Sequence, residues 1–218
     1  MSGSLWVFGY GSLIWRPGMP VLEGRPAWVS GWQRRFWQGS PDHRGTPTAP
    51  GRVVTLVPAT GAICHGQVWR VSSQVLADLD HREQAGYARH FLPATCDDGA
   101  VVPALLYVAG PGNPSWLGPA PLTEMATHIH QSHGPSGPNR EYLLRLADVL
   151  ASRGVTDDHV FQLASAVRAL AEHPEDLVPN ASARSQSQVE VLPDSVSNRR
   201  RSVLEVQDDS RKARLDES

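Results

Sequence analysis

Leu5-Trp6-Val7-Phe8-Gly9-Tyr10-Gly11-Ser12-Leu13-Ile14-Trp15 is an apolar run of strand character that breaks into a glycine turn and then resumes. Glycines at 9 and 11 permit positive φ and close approach, so consecutive backbone amides can converge on a carboxylate or an oxyanion. The stretch is not a phosphate loop. It lacks the Gly-Lys-Ser/Thr ending, and Ile14 stands where a dinucleotide fingerprint has its third glycine. Taken alone, a Gly-Tyr-Gly-Ser turn is more often a plain strand connection, so the rest of the chain has to decide.

At 218 residues the chain can bury one substantial core, and its 18 prolines and 19 glycines suit a turn-rich fold of short strands better than a helical bundle. A formal net charge of -2 gives no electrostatic case for nucleic acid or a membrane surface. The only lysine is Lys212, and the arginines are dispersed rather than gathered into a phosphate-binding patch. Cys64 and Cys96 match neither a metal-ligand spacing nor a disulfide framework, and residues 1–15 do not resemble a secretion signal. No apolar run approaches the roughly 20 residues that span a bilayer. The expectation is a soluble, cytoplasmic protein with reduced thiols.

Residues 26–38, with Trp28, Trp32, Phe36 and Trp37 among polar neighbours, predict a half-buried strand, and the proline-rich segment 39–51 a loop acting either as a lid or as a passive crossover. Runs at 52–58 and 63–71 around Ala59-Thr60-Gly61-Ala62 predict a β-hairpin. Ser72 and Ser73 offer an N-cap for a short helix, with Val75, Leu76 and Leu79 at helical spacing, that breaks at Gly86. Strands at 87–96 and 101–108, joined by Asp97-Asp98-Gly99, complete a mostly antiparallel sheet. Thr123 is expected to cap a helix ending near Gly134. Asn139 is expected to cap a second, with Tyr142, Leu143, Leu146, Val149 and Leu150 on one stripe and Gly154 as terminator. A third, from about Thr156, carries Val160, Leu163, Val167 and Leu170 at the same spacing. Residues 181–218 contain no aromatic and hold 14 of the 42 Asp, Glu, Lys and Arg residues, so they read as a charged, disordered tail after a domain over 1–180.

His128, His130 and His133 invite a metal reading, but on a helix positions 128 and 130 point about 200° apart, and no metal site is expected. No Gly-x-Ser-x-Gly nucleophile elbow occurs. Glu83 follows Leu79 by four residues and Leu76 by seven, which puts a carboxylate on an apolar helix face. It either reaches water at a frayed end or is held in a cleft where desolvation raises its pKa.

Several pieces together resemble a ChaC-type glutathione-specific γ-glutamylcyclotransferase. They are the segment from Trp6 to Pro17, then Arg34-Arg35-Phe36-Trp37-Gln38-Gly39, His43-Arg44-Gly45, and Pro50-Gly51-Arg52-Val53-Val54-Thr55-Leu56. They continue with Arg82-Glu83, Gly86-Tyr87, Asn113-Pro114, Leu117-Gly118-Pro119-Ala120-Pro121 and Glu141-Tyr142-Leu143-Leu144-Arg145-Leu146-Ala147-Asp148. The resemblance covers residues 5 to about 173 and says nothing of the tail.

It implies an α+β fold, a small mixed, mostly antiparallel β-barrel with packed helices, and a pocket at the opening turn. Glu83 maps to the acid/base of a lyase that cyclises the γ-glutamyl group of glutathione to 5-oxoproline and expels cysteinylglycine, without cofactor or metal. The substrate site is expected at Gly9, Tyr10, Gly11, Ser12, Leu13 and Ile14, whose amides meet either the α-carboxylate or the oxyanion. Arg52 is a further candidate for a substrate carboxylate, and Tyr107 for a phenolic hydrogen bond. The protein is expected to act as a monomer on this small molecule, with neither nucleic acid nor membrane as partner. Another γ-glutamyl donor, or a non-catalytic binding protein, stands as the alternative.

Overall fold

The computed structural model describes residues 3–75 and 87–172. Strands β1 (Ser4–Gly9), β2 (Glu23–Ser40), β3 (Gly51–Ser72), β4 (Ala88–Cys96) and β5 (Val101–Val108) close a barrel in the order β1-β3-β2-β4-β5. All pairings are antiparallel except the closing one, where β5 runs parallel to β1 with Trp6 opposite Ala104 and Val7 opposite Leu105. The fold is the α+β barrel that the resemblance implies.

β1 is covered on both faces. Phe8 joins the main core, while Val7 packs with Val71, Val75, Leu105 and Tyr107 in a second cluster. A strand buried on two sides has no polar face to present, so it reads as a continuous apolar run rather than an alternation.

The hairpin expected around residues 59–62 does not form. β3 pairs with β2 along its whole length, from Arg70 opposite Glu23 to Gly51 opposite Ser40. Ser30 opposes Ile63 and Trp32 opposes Pro58, so residues 59–62 face Gly31 alone. The turn-forming residues therefore make a bulge in a strand that keeps its direction, with Gly31 at φ 81° and Gly61 at φ 78° in the left-handed conformation. Bulges increase local bend and twist, which a long ribbon needs to wrap into a small barrel. β4 pairs with β2 over a short ladder, with Ala27 opposite Cys96 and Trp28 opposite Thr95.

Helices α1 (Leu122–Gln131), α2 (Asn139–Ser152) and α3 (Asp158–Glu172) pack on the barrel through Met125, Ile129, Leu143, Leu146, Leu150, Val160, Leu163 and Val167. Each such side chain contributes about 1.5–3 kcal/mol on burial. Two short strands, β6 (His133–Gly134) and β7 (Gly137–Pro138), join α1 to α2. The helix expected to end near Gly134 stops at Gln131, and Gly134 lies in β6.

Neither predicted capping side chain caps. Pro121 and Pro138, both extended, occupy the N-cap positions of α1 and α2. Asn139 is instead fully buried and clasps the start of β3: its Oδ1 accepts from the Arg52 amide at 2.7 Å and its Nδ2 donates to the Arg52 carbonyl at 2.8 Å. Gly154 ends α2 at φ 66°. The helix read from Ser73 begins as a 3-10 turn at Ser73–Val75. Glu83 and the rest of that segment lie outside the described residues, as does the tail. Cys64 and Cys96 are buried and unpaired. Among the described residues no helix is long and apolar enough to cross a membrane.

Candidate functional site

β1 ends at Gly9, and the chain turns through Tyr10 and Gly11 into a 3-10 turn at Ser12–Ile14. The amides of Ile14, Trp15 and Arg16 are satisfied by the carbonyls of Gly11 and Ser12. Those of Gly11, Ser12 and Leu13 meet no acceptor among the described residues. All three residues line a cavity of about 500 Å³.

Of the two properties expected of Gly9 and Gly11, neither residue uses positive φ. Both are required for close approach. A Cβ on Gly9 would strike Leu13, and one on Gly11 would stand 2.6 Å from the Tyr142 hydroxyl and 2.9 Å from Val54 Cγ2.

The turn is held from beneath by Arg34, which is almost fully buried. Its Nε donates to the Tyr10 carbonyl at 2.6 Å, its Nη1 to Asp157 Oδ2 at 2.6 Å and its Nη2 to the His65 carbonyl at 2.5 Å. Burial opposes this charge, but Cys64 and Asp157 outweigh it, and the Arg34 pKa lies above the ordinary value. Asp157 also accepts from the Val160 amide, capping α3. One carboxylate thus ties the third helix to the floor of the turn. Tyr10 adds a second tether, its hydroxyl donating to the Tyr107 carbonyl at 2.6 Å.

Of the residues expected from sequence, Tyr10, Gly11, Ser12, Leu13 and Tyr107 line the cavity together. Gly9 and Ile14 support the turn without reaching that wall. Arg52 is not brought to it either. Its Nη1 donates to the Phe36 and Gly118 carbonyls, both at 3.0 Å, its Nε is buried without a partner among the described residues, and burial lowers its pKa. Arg52 therefore ties β2 to the segment before α1. The three histidines diverge: His128 Nε2 contacts the Pro50 carbonyl at 2.7 Å, His130 is half-buried, and His133 lies exposed in β6.

Two wall segments belong to the stretches that carry the family resemblance but are not among the expected site residues. The loop after β2 contributes Pro41 to Arg44, and α2 contributes Glu141, Tyr142 and Arg145. The loop is seated by backbone packing, since a Cβ on Gly45 would collide with the Gly51 amide and one on Gly134 with the His43 carbonyl. The loop read as either lid or crossover lines the cavity, with the backbone at Gly45 and at His43 packed closely on its neighbours. The available signals were the i, i+4 pair Glu141 and Arg145 flanking Tyr142 and the polar triplet Asp42-His43-Arg44 within a proline-rich loop.

Residues 5–170 match the family described as ChaC-like protein. The chain is 41% identical over 198 residues to γ-glutamylcyclotransferase 2-3 of Arabidopsis thaliana, covering 85% of this chain and 100% of that protein. It is 43% identical over 175 residues to glutathione-specific γ-glutamylcyclotransferase 1 of Homo sapiens, covering 75% of this chain and 78% of that one. The crystal structure of a selenomethionine-labelled γ-glutamyl cyclotransferase specific to glutathione from yeast superimposes with a TM-score of 0.71 at 30% identity, covering 78% of this chain and 97% of that one.

Proposed function

Since the chain belongs to the ChaC-like family, we infer that it is a glutathione-specific γ-glutamylcyclotransferase. The α-amino nitrogen of the γ-glutamyl unit attacks its own γ-carbonyl carbon. That C–N bond closes the ring of 5-oxoproline, the amide C–N bond to cysteine breaks, and cysteinylglycine leaves. No water enters.

The observation that carries this reading is the set of three amides, Gly11 to Leu13, that meet no acceptor among the described residues, in the wall of a cavity large enough for a small peptide. They hold the γ-glutamyl end curled, so that ring closure proceeds with the orientational advantage of an intramolecular reaction.

The substrate amine has a pKa of about 7.7–8.0 in model peptides and is largely protonated at neutral pH, so a base is required. We assign that role to Glu83, which takes one ammonium proton before attack and delivers it to the departing nitrogen, while the second proton that the attacking nitrogen sheds on ring closure passes to solvent. Tyr107 shapes the pocket around the reacting group. The protein acts as a cytoplasmic monomer, and residues 181–218 are dispensable for turnover.

Incubation with glutathione followed by mass spectrometry tests the reaction. Equimolar 5-oxoproline and cysteinylglycine are expected, and release of free glutamate in their place would overturn it.

A further inference from the structure

The cavity has more room than a γ-glutamyl group fills, and one stretch of its wall has a composition suited to the other end of the substrate. The Arg44 guanidinium lies over the Tyr142 ring at 5.8 Å, Tyr142 packs against Trp15 at 5.8 Å, and the Arg145 guanidinium lies over Trp15 at 5.7 Å. Cation, aromatic, aromatic and cation thus follow one another along the same cavity that holds the turn amides.

Arg44 is the fixed member. Its amide donates to Ser40 Oγ at 3.1 Å and its Nη1 to the Pro138 carbonyl at 3.1 Å, while its other guanidinium donors meet no partner among the described residues. It is half-buried, whereas Arg145 is exposed. Glu141 stands beside it: a Cβ on Gly137 would lie 3.2 Å from Glu141 Oε2 and 3.4 Å from Arg44 Nη1. That carboxylate limits the positive surplus without removing it.

A guanidinium held over a ring presents its remaining N–H groups from its edge, which is the geometry for binding a carboxylate in two-point fashion. A ring-held, half-dehydrated arginine also binds such a group more strongly than an exposed one.

We propose that Arg44 binds the carboxylate at the far end of the leaving group, so that the site selects γ-glutamyl peptides with a free C-terminal carboxylate over amidated peptides and γ-glutamylamines. This specificity role rests on the cyclotransferase reading above.

The test compares glutathione with its C-terminal amide, using the full chain and its Arg44→Gln and Arg44→Lys variants. Loss of a hydrogen bond to a charged group corresponds to about ten- to hundredfold in binding. The unaltered chain is expected to show a KM for the amide higher by about that factor, with kcat little changed. Arg44→Gln is expected to raise KM for glutathione to the level of the amide and leave the amide unaffected, and Arg44→Lys to recover part of the preference.

Equal KM values in the unaltered chain, or an equal loss on both substrates in Arg44→Gln, would overturn the proposal. A variant that does not fold is replaced by product inhibition of the unaltered chain, where cysteinylglycine must inhibit more strongly than its amide. Absence of 5-oxoproline from both substrates would instead refute the cyclotransferase reading on which the proposal rests.

Discussion

Arg34 donates from Nε to the carbonyl oxygen of Tyr10 at 2.6 Å, from inside the core and beneath the cavity. The same guanidinium is paired to Asp157 at 2.6 Å, so the turn, the barrel and α3 share one charged anchor. Removing one partner of a buried ion pair costs about 3–5 kcal/mol, chiefly because the other is left uncompensated. Arg34→Met is therefore expected to lower stability by an amount in that range, read by urea denaturation. It should also lower kcat/KM, because the turn loses its floor. A variant with unchanged denaturation midpoint would show that the anchor is not needed.

Gly11→Ala introduces a methyl group 2.6 Å from the Tyr142 hydroxyl. Overpacking of this kind costs about 1–3 kcal/mol. Since the strain falls on the cavity wall, kcat/KM is expected to drop by at least about tenfold with only a modest fall in Tm. Adding Tyr142→Phe removes the nearest obstructing atom. If the double variant recovers nothing, the clash is not the cause.

Glu83→Gln keeps the size of the side chain and removes its basicity. Positioned acid/base groups contribute about 10²–10⁴-fold, so kcat is expected to fall by that order while circular dichroism and Tm stay unchanged. Turnover within a few-fold of the unaltered chain would place the proton transfer elsewhere.

His159 Nε2 accepts from the Phe36 amide at 3.0 Å, which requires a neutral ring. Burial, reinforced by Arg35, lowers its pKa to about 4, against the opposing pull of Asp157. The unfolded chain takes up a proton near the ordinary value of about 6.5 and the folded chain does not, so the folded state loses relative stability as pH falls through this interval. Stability is complete above about 6.5 and declines toward about 4. His159→Gln retains an acceptor without the titration. Its urea midpoint is expected to fall less steeply over that window, and identical slopes would remove His159 from the acid response.

Much of this architecture is visible along the chain because it depends on local burial. β5 occupies residues 101–108, where its strand was read, and the stripes of α2 and α3 face the core. What fails are inferences that need a partner. Ala59-Thr60-Gly61-Ala62 has turn chemistry, and only the register with Gly31 makes it a bulge instead of a reversal. Asn139 has capping chemistry, yet its side chain is committed to the Arg52 backbone 87 positions away. Arg52 is suggested by its charge, but neighbouring carbonyls already occupy it, while Arg44 and Arg145 come together at the cavity from segments far apart in the chain, which only the fold makes neighbours. The opening turn was legible because its glycines and its strand are contiguous.

The parallel pairing of β1 with β5 also orders the protein's assembly in time. The Tyr10 hydroxyl finds its carbonyl acceptor 97 positions later, and the wall facing it is supplied by α2. During synthesis the turn leaves the ribosome well before α2, so it cannot become a binding site until that helix has followed. Contacts of such long sequence separation close slowly, so partially made chains expose Trp6, Val7 and Phe8 without their cover. β1 is therefore the strand whose apolar faces stay uncovered until the barrel closes on it.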